Sequence, residues 1–167
     1  MEKAAWLVDM GYIVKASRGA FPLDYVRAAA FLKARLGAVH PFLFNGYDQR
    51  IGVTEGLTAF YRAMEHQGMV VRLHPMSGEP SLRSHTQRRV DVDLAAHLVW
   101  QAGLAENGCV VLTTGDQDFV PAVELVTEHC QTRVVLFSYR QNVHRDLEAA
   151  VAERICFEDF KEQLLRE

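Results

Sequence analysis

Short apolar runs alternate with helical-period segments along nearly the whole chain. Residues 4–8 (Ala-Ala-Trp-Leu-Val) predict a first strand that stops at Asp9. Tyr25, Ala29, Leu32 and Leu36 recur at helical spacing, with Gly37 as the stop. Residues 39–44 predict a second strand, in which Pro41 would push the start later. Leu57, Phe60, Tyr61 and Met64 mark a second helix ending near Gly68, and residues 69–73 a third strand. Residues 75–89, rich in Pro, Gly and Ser, predict an exposed loop. A helix over about 90–105, a strand over 109–114, a helix carrying Phe119, Val123 and Val126, and a fifth strand from Arg133 to Phe137 follow. The tail over 144–166 predicts a helical extension, with a short edge strand around 154–157 as an option. There are no repeats, so residues 1–167 read as one domain.

Regular β-α alternation argues an α/β fold with a parallel, doubly wound sheet, right-handed crossovers and helices on both faces. Such sheets keep their ligands at the carboxyl ends of the strands. Those ends are where the acidic residues fall. Asp9 follows the first strand, Asp116 and Asp118 follow the run Val110–Thr114, and Asp91 and Asp93 open the 90–105 helix. Five of the nine aspartates thus lie in three short segments, each at the edge of an apolar stretch. Crowded carboxylates repel unless protons or a divalent cation hold them together, so the pattern points to a Mg2+ or Mn2+ site. Each acid also has a plainer reading. Asp118, before Phe119-Val120-Pro121, suits a helix N-cap, and Asp91 or Asp93 suits a helix start.

Composition narrows the partners. The 167 residues are 49% hydrophobic with a net charge of -3, which excludes a globally basic nucleic-acid binder but not a local basic strip. Three cysteines (Cys109, Cys130, Cys156) without a CxxC suit reduced thiols, and no apolar run approaches a membrane span. With no leader pattern after Met1, the expected compartment is the cytoplasm. The seven histidines show no HxxxH or HExxH spacing, and neither GxGxxG nor a Walker motif is present.

In three motifs, taken in order, the chain resembles the NYN-domain, LabA-like family of PIN-like nucleases. They are Leu7-Val8-Asp9, then Gln87-Arg88-Arg89-Val90-Asp91-Val92, then Thr114-Gly115-Asp116-Gln117-Asp118-Phe119. The resemblance implies a Rossmann-like PIN fold with a five-stranded, mostly parallel sheet in the order 3-2-1-4-5. It also implies an acidic pocket of Asp9, Asp91, Asp116 and Asp118 that binds divalent metal and cleaves RNA. Arg88 stands where the family usually has lysine, and Thr114 where it has a small hydroxyl residue. Tyr12 departs from a common asparagine, and His97 from a common further aspartate. Asp93, one helical turn before His97, is a candidate to restore that charge, so Asp93 and His97 are secondary metal candidates.

One or two hard cations held by carboxylates can neutralise a phosphodiester and activate water, and magnesium needs only a few direct carboxylates. Arg83, Arg88 and Arg89, with Lys15 and Arg18, are candidates to hold an RNA backbone. Tyr12 could offer a face for base stacking. The expected function is a metal-dependent ribonuclease. The rivals are a non-catalytic RNA-binding or regulatory module, favoured by His97, and a small-molecule phosphatase. The amphipathic tail Phe157-Phe160-Leu164 suits either a homodimer contact or a cover for the sheet.

Overall fold

The computed structural model describes residues 3–76, 83–104 and 106–167, with side chains from residue 89 onward in the helix that begins at Arg83. Six parallel strands form one sheet: β1 (Lys3–Asp9), β2 (Ala38–Asp48), β3 (Val70–Met76), β4 (Asn107–Thr113), β5 (Arg133–Ser138) and β6 (Glu153–Cys156). Their order is β3-β2-β1-β4-β5-β6, so β1 and β4 are central neighbours. The expected order is present with one strand more. The sixth, β6, is the short edge strand that the sequence offered around 154–157, and it pairs along Val135–Ser138 of β5.

Among the described residues, seven helices cover the sheet: α1 (Met10–Ser17), α2 (Tyr25–Leu36), α3 (Glu55–His66), α4 (Arg83–Ala102), α5 (Val120–His129), α6 (Arg145–Ala150) and α7 (Lys161–Leu164). Alternation along the strands sorts the core into two layers. Ala4, Trp6 and Val8 of β1 pack with Ile13, Tyr25, Ala28 and Leu32 from α1 and α2. Ala5 and Leu7 pack with Leu94 and Leu98 of α4 and Val123 and Val126 of α5. Asp9 continues that second row, on the face that α4 covers.

Three expectations are corrected. The segment read as a loop over 75–89 is largely regular: β3 runs to Met76 and α4 starts at Arg83, while residues 77–82 lie outside the described residues. The first turns of α4 are polar, include the indifferent helix formers Ser84, His85 and Thr86, and carry no apolar stripe, so periodicity misses them. Pro41 does not delay β2, which starts at Ala38. Its pairing with β3 begins only at Phe42, so Pro41 sits where the strand has one neighbour and no second ladder to donate to.

The tail is not one helical extension but α6, β6, a 3-10 turn (Phe157–Phe160) and α7. Its aromatic residues are used within the chain. Phe157 is fully buried, with ring centroids 4.5 Å from Phe137 and 4.8 Å from Tyr139. Phe160 packs 4.8 Å from Phe31, and the backbone of Leu165 bridges Leu23. The tail therefore covers the sheet. Among the described residues, no helix is long and apolar enough to cross a membrane.

Candidate active site

β1 ends at Asp9, and α1 begins at the next residue without a loop. Asp9 makes that junction: its Oδ1 accepts the Tyr12 amide at 3.1 Å, capping the helix. The β1–β4 register sets Val8 beside Thr113 and hence Asp9 beside Thr114, whose hydroxyl donates to Asp9 Oδ2 at 3.0 Å. Both carboxylate oxygens are thus held. Burial nevertheless raises the Asp9 carboxyl above its ordinary value, opposed by the Tyr12 and Thr114 bonds and reinforced by the charge of Asp116.

After β4 the chain turns at Gly115. Asp116 caps the 3-10 turn Gln117–Phe119, its Oδ1 accepting the Asp118 amide at 2.9 Å. Phe119 is buried under α4, which fixes the turn. Asp118 itself is exposed, beside Gln117 and Asp146. The capping role that the sequence offered to Asp118 therefore belongs to Asp116.

Asp91 faces this corner from α4. Burial first, then the charges of Asp9, Asp116 and Asp118, push its carboxyl up to about 7. The four expected acids therefore act on one another across the carboxyl ends of the two central strands. Asp9 and Asp116 line a cleft of about 210 Å³ together with Tyr12, Lys15, Thr114 and Asn142, while Asp91 and Asp118 stand outside its lining. Among the described residues, no group of three or more His, Cys, Asp or Glu side chains is placed to hold a metal ion.

Other candidates are placed differently. Asp93 points to the far side of α4, where Arg72 Nε and Nη2 donate to it at 2.9 and 3.0 Å and His74 Nε2 lies 2.8 Å away. Burial would raise its carboxyl, but Arg72 and His74 outweigh burial and hold it below the ordinary range. His97 donates from Nδ1 to the Asp93 carbonyl at 2.9 Å, with its ring against Phe42 and Phe44. Asp93 and His97 thus bind α4 to β3 and β2 rather than joining the four acids. Helical spacing explains the split, since residues two apart point to opposite sides.

Arg89 lines the same side as His74 and Asp93, while Lys15 lines the cleft. Arg18 is exposed at the end of α1. Arg83 and Arg88 belong to α4 by backbone, and their side chains lie outside the described residues. Tyr12 corrects its expectation. Only 8% exposed, it is a wall of the cleft rather than an open stacking face, and its hydroxyl donates to the carbonyls of Tyr139 and Gln141.

Sequence reasoning missed the segment Tyr139–His144, which closes the cleft. At Gly115 a Cβ would stand 1.8 Å from the Asn142 carbonyl oxygen, so only glycine admits this approach. The His144 amide donates to the Gly115 carbonyl at 2.9 Å. Arg154 of β6 donates to the carbonyls of Tyr139 and Arg140 at 3.0 and 2.7 Å, and Glu158 accepts the Arg140 amide. The available signal was topological: polar residues after a strand neighbouring β4.

A parallel sheet whose central strands bring acids to one carboxyl-end cleft defines the PIN-like class of α/β proteins. The chain belongs to the NYN domain family, whose model matches residues 3–158, and that family lies within the PIN-like nuclease superfamily. NYN nucleases bind RNA, and nucleases of this superfamily generally use divalent metals. The chain is also similar to the crystal structure of a protein of unknown function from Vibrio parahaemolyticus RIMD 2210633. The TM-score is 0.80 and the identity 19%, over 99% of this chain and 96% of that one. Likeness at that identity concerns the fold alone. Comparison with curated proteins gives no match.

Proposed function

We propose that the protein is a ribonuclease that hydrolyses RNA phosphodiester bonds at the Asp9–Asp116 cleft with Mg2+ or Mn2+. The observation that carries this reading is the crowding of Asp91 by burial and by Asp9, Asp116 and Asp118. Such an arrangement is costly for a protein unless positive charge enters it. Oxygen-only donors of this kind suit a hard cation. Asp9 and Asp116 are the residues that would hold it, with Asp91 and Asp118 completing the acidic set.

A cation bound there supplies charge neutralisation at the phosphate and lowers the pKa of water. The chain's own residues do the rest. Thr114 fixes the Asp9 carboxylate, and the α1 amide of Tyr12 fixes its other oxygen. Asp91, facing Asp9 and Asp116 from α4, is the carboxylate that would take a proton from the attacking water. Lys15 meets the anionic strand at the rim.

Calorimetric titration of Mn2+ and Mg2+ into wild type and Asp9→Asn/Asp116→Asn, beside cleavage of a labelled RNA, tests this. Wild type binds metal and cuts, whereas the double variant does neither. Metal-dependent cleavage retained by the double variant would remove the cleft from the chemistry. RNA binding by wild type with no metal-stimulated cleavage would leave a non-catalytic binding module.

A further inference from the structure

The cleft is acidic, yet a phosphodiester strand must lie in it, so hydrogen-bond donors are needed beside any cation. Its lining offers few. The Thr114 hydroxyl is committed to Asp9, and the Tyr12 hydroxyl to the carbonyls of Tyr139 and Gln141. Gly11 and Gly115 carry no side chain. Among the side chains, that leaves the Lys15 ammonium on α1 and the Asn142 amide from the segment after β5. Neither side chain engages a partner among the described residues. Asn142 is exposed, at φ 58°, a left-handed conformation that asparagine tolerates better than most residues. Its carbonyl closes on Gly115, and both residues line the cleft.

The segment is also held in place from several sides. Arg154 and Tyr12 grip the carbonyls of 139, 140 and 141, Glu158 accepts the amide of 140, and Gly115 accepts the amide of 144. Rigid support of this kind is what a substrate-positioning side chain requires. We infer that Asn142 is a substrate-positioning residue, whose amide donates to a phosphate oxygen of the bound strand alongside Lys15. The inference rests on the nuclease reading above and adds a residue on the wall that none of the four acids occupies.

The clean variants are Asn142→Gly and Asn142→Asp, because both residues tolerate the left-handed backbone. Each is placed in Asp116→Asn protein, which is not expected to cut, and fluorescence anisotropy reads binding of a labelled single-stranded RNA with Mg2+ present. Asn142→Gly should weaken binding about ten-fold, the usual effect of losing one hydrogen bond to a charged group. Asn142→Asp should weaken it further, by bringing a like charge to the phosphate, and the excess should shrink as salt is raised. Mg2+ affinity measured in otherwise wild-type protein should stay unchanged in Asn142→Gly. Equal RNA affinity in parent, glycine and aspartate proteins would overturn the inference and leave the nuclease reading intact. Absence of RNA binding by wild type and parent alike would overturn both.

Discussion

Asp9 combines two roles that sequence reading treats as rivals. One carboxylate oxygen caps α1 and the other receives the Thr114 hydroxyl. The helix cap and the candidate ligand are therefore one group. Asp91 carries the clearest pH signature. The folded protein keeps it protonated up to about 7, against 3.8 for an ordinary aspartate. Its contribution to folding is full below about pH 4 and is lost as pH rises through about 7. Thermal melts of the metal-free protein should therefore show Asp91→Asn stabilised over wild type at pH 8, by roughly 3 °C, and little changed at pH 4. An equal offset at both pH values would contradict the crowding.

At the scale of elements, β1, β4 and β5 are joined through their side chains as well as their ladders. Trp6 Nε1 donates to the Thr113 hydroxyl at 2.8 Å, and that hydroxyl donates to the Phe137 carbonyl at 2.7 Å. All three residues are fully buried. Thr113→Val keeps the shape but strands the indole N–H, so denaturant unfolding should show a loss of about 2 kcal/mol, with Thr113→Ser costing less. Elements of this kind were legible because buried parallel strands read as apolar runs. The acidic corner was legible because polar residues at the ends of such runs stand out.

The start of α4 was not legible, since Ser84 to Arg89 carry no apolar face. Nor was α1, which follows β1 with no break and places the β-branched Ile13 and Val14 where a strand would continue. Asp93 and Asp91 look equivalent in sequence and part company only through helical rotation. Asn142 was invisible because its place depends on how the ends of β4 and β5 approach each other, a contact no local pattern encodes.

Across the whole molecule, the tail completes the layer over α2 and supports the site from behind. Phe157 is enclosed between Phe137 and Tyr139, and Leu164 is buried, with its carbonyl accepting the Asp24 amide at 2.9 Å. Phe157→Ala should cost about 3–5 kcal/mol in denaturant unfolding. A cost below about 1 kcal/mol would mean that the tail is dispensable to the fold.

The wall held by Arg154 and Glu158 has a further consequence for the timing of the protein's birth. All four acids are made before those two residues, and domains of this kind leave the ribosome amino end first. Until Arg154 and Glu158 have been joined, the chain carries its four carboxylates but lacks these two groups that hold Tyr139 and Arg140. The acidic corner therefore exists along the chain before the residues that brace its neighbouring wall have been added.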